Sequence, residues 1–274
     1  MRPEHDSRVT YATLNVPLGQ SSYQLSYFDR PGNAQTIVYI HGLGCSKSDF
    51  LGMTLEPRLD SFRLLSFDHP SCGDTPYDPG NQLCIDDLVE EAERFTDALG
   101  LNKFLLVGHS MGGLAALLFA GRNPSKITGF VNAEGNLAPE DCFFSRLVAG
   151  GDYASFESQV FPALKRELSG RQGLGFRRHS EVMAGANPRA YYDYCLQIVE
   201  YSDRGNLLDR FLTLPVSACF VYGSQNAHLS YLPSLRKSEC KVIEIPAANH
   251  FPFHDNPHAF AEALSVFAGG QLLS

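Results

Sequence analysis

The fold is decided by residues 104–116, which read FLLVGHSMGGLAA. An apolar run ends in Gly-His-Ser-Met-Gly and passes directly into small residues with a helical pattern, which predicts a strand, a sharp turn and a helix. The pattern Gly-x-Ser-x-Gly in this context is typical of a nucleophile elbow, a strained turn that exposes the hydroxyl of its serine, here Ser110. Glycine is needed at Gly108 and Gly112 because a Cβ at either position would collide with the neighbouring strand or helix.

Composition limits the class of protein and its partners. The length of 274 residues fits one large α/β domain, or a core with an inserted subdomain. Hydrophobic residues make up 44% of the chain and charged residues 19%, as in an ordinary globular protein. The formal net charge is −8 without any basic cluster, so we expect neither nucleic acid nor an anionic membrane as a partner.

Targeting and redox features point to the cytoplasm. Residues 1–6 are polar and lack the apolar segment of a signal peptide, and no apolar run is long enough to span a membrane. The seven cysteines are scattered without a Cys-x-x-Cys pair, which is typical of reduced, structural thiols. No spacing of histidines and carboxylates suggests a metal site, so we expect no metal and no cofactor.

Apolar and β-branched runs on both sides of the elbow predict eight strands. They cover residues 8–29 (two strands), 36–40, 63–67, 103–107, 127–133, 216–222 and 241–245. Helices are predicted over residues 86–99, from the elbow to about residue 122, and over residues 257–267. Strands that alternate with helices at this spacing indicate right-handed crossovers and a parallel sheet.

Residues 137–210 differ from the rest of the chain. They show helical segments over residues 155–168 and 188–200, a glycine-rich break over 169–175 and no convincing buried strand. We interpret residues 137–210 as a helical lid, with residues 1–136 and 211–274 forming the α/β core. The alternative is an elongated connection packed on that core.

A base for Ser110 is expected after the last predicted strand. A serine hydroxyl is a poor nucleophile until a base removes its proton. Residues 247–253 read AANHFPF, and this loop would place the imidazole of His250 over the elbow. The other histidines near the predicted motifs are interpreted as supporting or surface residues; they are His41, His109, His228, His254 and His258.

These motifs resemble those of the α/β-hydrolase superfamily, over nearly the whole chain outside the predicted lid. The matching motifs are His-Gly-Leu-Gly at 41–44, Gly-His-Ser-Met-Gly at 108–112, and His-Phe-Pro at 250–252 followed by Pro257 and Phe260. The resemblance implies an eight-stranded, mostly parallel sheet with helices on both faces and an inserted helical lid. It also implies a serine hydrolase with the chain order serine, acid, histidine.

The acid departs from the usual pattern of this superfamily. An Asp is most often found in a Gly-x-x-Asp loop after the strand predicted here at 216–222, but residues 223–226 read Gly-Ser-Gln-Asn. The amide of Asn226 can orient an imidazole but cannot stabilise an imidazolium. Glu134, at the end of the strand after the elbow, is similar in position to the triad Glu of a minority branch that includes the fungal zearalenone lactonases. Weaker candidates for the acid are Asp203, Asp209 and Asp255.

The remaining site residues follow from the elbow geometry. An oxyanion hole needs two backbone N–H groups, which we assign to Met111 and Leu43, with Gly42 as the alternative to Leu43. Aromatic residues of the predicted lid and loops near the elbow suggest a substrate pocket. Its candidate residues are Gly42, His69, Phe143 and Tyr191.

The sequence therefore predicts an esterase-like or lactonase-like serine hydrolase, a monomer or homodimer, acting on a small-molecule ester or acyl substrate. A thioesterase and a carbon–carbon bond hydrolase are alternatives with the same nucleophile. A further alternative is a receptor-like ligand-binding protein with little turnover, which the missing Asp at position 226 favours. A haloalkane dehalogenase is excluded because its elbow requires Asp in place of Ser110.

Overall fold

Eight strands form one sheet in the computed structural model, which describes residues 6–183 and 185–271. In the sheet they lie in the order β1-β2-β4-β3-β5-β6-β7-β8. Their bounds are β1 Thr10–Leu18, β2 Ser21–Arg30, β3 Thr36–Ile40, β4 Arg63–Phe67, β5 Phe104–His109, β6 Ile127–Ala133, β7 Ala218–Gly223 and β8 Lys241–Ile245. Strand β2 pairs antiparallel with β1 and β4, and all other neighbours are parallel. The predicted fold class is confirmed.

Helices cover both faces of the sheet, and alternate residues of a strand face opposite layers. Phe104 and Leu106 of β5 pack in the core with helices α1 and α2, whereas Leu105 and Val107 pack on the other face with the C-terminal helix. The helices of the core are α1 Ile85–Ala98, α2 Met111–Arg122 and, near the C-terminus, α9 Leu232–Lys237, α10 Pro252–Asp255 and α11 Pro257–Gln271.

Between β6 and β7 the chain forms a series of helices. They are α3 Ser145–Ala149, α4 Tyr153–Ser155, α5 Phe161–Gly170, α6 Leu174–Met183, α7 Pro188–Asp203 and α8 Leu207–Leu212. A π-helical turn, Phe156–Val160, joins α4 to α5. Short 3₁₀ helices lie at Lys47–Leu55, Pro57–Leu59, Pro124–Lys126, Pro139–Asp141 and Ser224–Asn226.

Helix α6 is the main departure from the predicted elements. The glycine-rich pattern of residues 169–175 predicted a break, but the break ends at Gly173 and the helix begins at Leu174. The backbone N–H of Gly175 donates to the carboxylate of Asp255 at 2.8 Å, so a contact far along the chain fixes the start of this helix. Strand β7 also begins two residues later than predicted, at Ala218.

Two sequence predictions concern membranes and export. No helix in residues 6–183 and 185–271 is both long and apolar enough to cross a bilayer. The prediction about a signal peptide rests on residues 1–6, of which residues 1–5 lie outside the described part of the chain.

Candidate active site

Ser110 lies at a strained turn between β5 and α2. Its backbone has φ 53° and ψ −123°, a conformation that residues with a Cβ rarely adopt. The turn is tight enough that a Cβ at Gly108 would lie 2.4 Å from the carbonyl oxygen of Gly112, and one at Gly112 would lie 2.3 Å from that of Ile40. Both glycines are therefore required for the serine to project from the sheet.

Glu134 lies at the end of the neighbouring strand and reaches His250. Its Oε2 atom is 3.3 Å from Nδ1 of His250, and both side chains are buried. The backbone N–H of Gly223 donates to Oε1 at 2.7 Å. Like Ser110, Glu134 has a positive φ, of 53°, which turns its side chain across the end of β7. The structure thus brings together the predicted acid and base.

Asn226 contacts the acid rather than the histidine. Its Nδ2 atom lies 2.9 Å from each carboxylate oxygen of Glu134. Within the described residues, Asn226 makes no hydrogen bond to His250. An amide that donates to both oxygens fixes the orientation of the carboxylate.

The other candidate acids lie elsewhere. Asp203 pairs with Arg146 at 2.6 Å. Asp255 accepts the N–H of Asn249 at 2.9 Å as well as that of Gly175. Asp209 lies on α8. None of these three aspartates forms a hydrogen bond or ion pair with His250 in the part of the chain that the structure describes.

The loop of His250 is held by its backbone. The N–H of His250 donates to the side-chain oxygen of Asn249 at 2.7 Å, and its carbonyl accepts a hydrogen bond of 2.8 Å from Nε2 of His109. Burial lowers the pKa of His109 well below its usual range, so this ring is neutral and Nε2 carries the proton that it donates. His109 therefore supports the base, as the sequence indicates for a residue of this motif.

Ser110 and His250 line the same cleft at the carboxyl edge of the sheet. No hydrogen bond joins the Ser110 hydroxyl to His250 in residues 6–183 and 185–271. Hydrogen bonds between a nucleophile and its base commonly tighten only when substrate binds. The arrangement therefore places the two groups in one cavity, with the carboxylate behind the imidazole.

Two backbone N–H groups lie beside Ser110. Met111 is the first residue of α2, and Leu43 lines the cleft. Neither N–H donates to another group of the described chain. The loop at 41–44 passes close to the serine, since a Cβ at Gly42 would lie 3.0 Å from that of Ser110. These groups suit an oxyanion hole.

The cleft walls include Phe143 and Tyr191 but not His69 or Gly42. His69 is fully buried and its Nδ1 lies 2.6 Å from Oε2 of Glu91 on α1. Its backbone N–H also donates to His41, which turns the loop inward. The placement of His69 in the pocket is therefore wrong. Gly42 packs against Ser110 and His109 and does not form the cleft wall.

His179 is a cleft residue that the sequence analysis missed. It projects from α6 into the cleft wall, packs against the ring of Phe251 and has its Nδ1 atom 3.5 Å from the sulfur of Cys45. Burial lowers its pKa to about 4, so the ring is neutral near pH 7. The sequence did contain a signal for this residue. Phe176, His179 and Met183 recur at helical spacing and form one buried face of α6.

Replacing His179 by Gln is expected to reduce the loss of stability in acid. Because the folded pKa is about 4, below the unfolded value of 6.5, the stability contributed by the neutral ring is complete above pH 6.5 and is lost as the pH falls towards 4. The shift corresponds to about 3 kcal/mol. Urea unfolding near neutral pH and near the folded pKa measures this loss.

The control for this prediction is His258→Gln, since the His258 side chain is 66% exposed. The control is expected to lose as much stability in acid as the unmodified protein. An equal loss in His179→Gln and His258→Gln would contradict the assignment.

The described residues contain no group of three or more His, Cys, Asp or Glu side chains arranged to hold a metal ion. All seven cysteines are free thiols.

The chain is similar to known proteins in both sequence and fold. A model described as "Alpha/beta hydrolase family" matches residues 37–263. The sn-1-specific diacylglycerol lipase ABHD11 of Mus musculus is 26% identical over 269 residues, covering 90% of this chain and 84% of that protein. A thermophilic esterase from Thermogutta terrifontis has a TM-score of 0.77 at 18% identity and covers 94% of this chain and 98% of its own. The enol-lactonase from Burkholderia xenovorans LB400 has a TM-score of 0.74 at 19% identity, with coverages of 93% and 100%. At these identities the two solved structures show the fold alone.

Proposed function

Because the chain belongs to the alpha/beta hydrolase family, we propose that it is a serine hydrolase that cleaves carboxylic esters or lactones through an acyl-enzyme. The observation that supports this most directly is the 3.3 Å contact between Glu134 and His250 beside the cleft that holds Ser110. Nucleophile, base and acid are the three roles that such a reaction requires.

In the proposed acylation step, the Ser110 hydroxyl oxygen attacks the ester carbonyl while His250 accepts its proton. The N–H groups of Met111 and Leu43 bind the negative oxygen of the tetrahedral intermediate. His250 then gives the proton to the leaving alcohol as the carbon–oxygen bond breaks. Water attacks the acyl-enzyme by the same path and releases the acid.

Glu134 has the role of triad acid in this proposal. A carboxylate beside Nδ1 selects the tautomer in which Nε2 can accept a proton, and it balances the imidazolium charge. Its position directly after β6 is the point of similarity to the zearalenone lactonases. The hydrogen bonds from Gly223 and Asn226 fix the orientation of its carboxylate, so the amide at position 226 assists the acid.

The contact between Glu134 and His250 weakens the ligand-binding alternative. The missing Asp at position 226 favoured a protein with little turnover, but a carboxylate occupies the place beside His250. Substrates with an apolar acyl group suit the cleft, since Leu43, Tyr191 and Ile198 lie in its wall.

Hydrolysis of p-nitrophenyl acetate and butyrate tests the proposed activity, together with labelling by a fluorophosphonate probe. We expect turnover of both esters and a covalent adduct on Ser110, because only an activated serine attacks the probe. Peptide mapping by mass spectrometry identifies the labelled residue. No turnover and no adduct, from protein that unfolds cooperatively, would contradict the enzyme assignment.

A further inference from the structure

Two groups of the proposed reaction centre follow strands that are not neighbours. Leu43, a proposed oxyanion donor, lies in the loop after β3, and His250 lies in the loop after β8. Strands β5, β6 and β7 separate β3 from β8, a span of about 19 Å at about 4.8 Å between adjacent strands. Strand pairing therefore does not set the distance from the Leu43 N–H to the imidazole, and a contact between the two loops is needed to do so.

Asp49 and His254 form such a contact. Oδ1 of Asp49 lies 2.8 Å from Nε2 of His254, and the two side chains are 2% and 15% exposed. Asp49 lies in the 3₁₀ helix that follows the loop of Leu43, and His254 lies on α10, which follows the loop of His250. The pair thus joins the two loops largely out of contact with water.

On one side of the pair, Asp49 holds the loop of Leu43. Its Oδ2 atom accepts the N–H of Ser46 at 2.9 Å, so each oxygen of the carboxylate has a separate partner. In the preceding turn, the N–H of Cys45 donates to the carbonyl of Gly42 at 3.2 Å. That carbonyl belongs to the same planar peptide group as the N–H of Leu43, so the turn that ends at Ser46 sets the direction of the oxyanion donor.

On the other side, α10 holds the loop of His250. The backbone N–H groups of His254 and Asp255 both donate to the carbonyl of Phe251, at 2.9 and 3.0 Å. The carboxylate of Asp255 accepts the N–H of Asn249 at 2.9 Å. The residues on both sides of His250 are therefore bound to the helix that carries His254, and a shift of α10 would move the imidazole.

The ionised state of Asp49 strengthens the contact. Burial raises the pKa of Asp49, but the hydrogen bonds from His254 and Ser46 outweigh burial and hold this pKa well below its usual range. The carboxylate is therefore charged at neutral pH. A hydrogen bond to a charged acceptor is stronger than one between neutral groups.

We infer that Asp49 and His254 are positioning residues, which hold the oxyanion donor and the catalytic base at the separation that the transition state requires. Neither residue lines the cleft, so both act through the two loops and not on the substrate. A misplacement of about 1 Å at a reaction centre costs about 10² in rate. The inference rests on the proposed function, because it concerns a geometry that only this reaction uses.

Replacing His254 by Leu tests the inference. We expect kcat for p-nitrophenyl butyrate to fall by roughly tenfold to a hundredfold with KM nearly unchanged, because the contact acts on the transition state. Affinity for butylboronic acid should fall by a similar factor, since its tetrahedral adduct with Ser110 mimics the transition state. His254→Gln keeps a donor for Asp49 and should recover most of both losses. Expressing kcat per site that the fluorophosphonate labels at completion removes the effect of unfolded protein.

His258→Leu is the matched control. The Nδ1 atom of His258 lies 3.4 Å from Glu56, the residue after the same 3₁₀ helix, but the His258 side chain is 66% exposed. The control is expected to leave kcat and boronate affinity unchanged. Asp49→Ala should lower both at least as much as His254→Leu does. Combining these two substitutions should add no further loss, because both break one contact.

The outcomes separate the two proposals. The positioning role is refuted, and the hydrolase remains, if His254→Leu and His258→Leu have equal kcat and equal boronate affinity. It is also refuted if the losses from Asp49→Ala and His254→Leu multiply in the double variant. If the unmodified protein hydrolyses no ester and the fluorophosphonate does not label Ser110, the proposed function is refuted and the positioning role with it.

Discussion

Replacing Glu134 by Gln is expected to lower kcat for p-nitrophenyl butyrate by about 10⁴, with a much smaller change in KM. Gln has the same shape and its oxygen can still accept the N–H of Gly223, so the fold is expected to survive. It carries no charge to balance the imidazolium of His250, and its amide can favour the wrong tautomer of that ring. Steady-state kinetics of the purified variant measure the effect.

Asn226→Ala is the matched control for this prediction. It removes the two hydrogen bonds to the carboxylate and leaves the carboxylate in place. Loss of these two hydrogen bonds is expected to lower kcat about tenfold, far less than loss of the carboxylate charge. A larger loss in Asn226→Ala than in Glu134→Gln would show that the triad has been assigned wrongly.

Replacing Ser110 by Gly is expected to abolish turnover and to make the protein more stable. Loss of the nucleophile lowers kcat by about 10⁶. The backbone at Ser110, with φ 53° and ψ −123°, is accessible to Gly without steric strain. Relief of this strain outweighs the added freedom of the unfolded chain, and a net gain of about 1 kcal/mol is expected.

Ser110→Ala separates the two effects. Ala removes the hydroxyl but keeps the Cβ, so it should abolish turnover with little change in stability. Urea unfolding of the three proteins measures the difference. If Ser110→Gly is no more stable than Ser110→Ala, the strain at the elbow contributes little to the free energy of unfolding.

The strands and the elbow were predictable because their signals are local. A buried parallel strand is a short apolar run, and the run ending at Val107 shows this without reference to any other segment. Helix α6 was not predictable in the same way. Its glycines indicate a break, and the contact that fixes its start comes from Asp255, which lies far away along the chain.

The site residues that could be predicted are those that directly follow a strand. Ser110 and Glu134 follow neighbouring strands, so their proximity follows from the parallel order alone. His69 also follows a strand, but its direction depends on hydrogen bonds to His41 and Glu91 that no spacing indicates. The contact between Asn226 and Glu134 could not be predicted from spacing either. An amide at the usual acid position is informative only when its hydrogen-bond partner is known.

The helices of residues 137–210 leave the sheet after β6 and return to it at β7, and these two strands are direct neighbours. The entry and exit of this segment are therefore anchored close together, whatever its length. Loop closure depends only weakly on the number of residues enclosed. Ser110, Glu134 and His250 all lie outside this segment, so insertions and deletions within it are expected to leave the sheet that positions them unchanged. Changes of length within residues 137–210 are therefore expected to alter the wall that Phe143, Tyr191 and Ile198 contribute to the cleft without moving Ser110, Glu134 or His250 relative to one another.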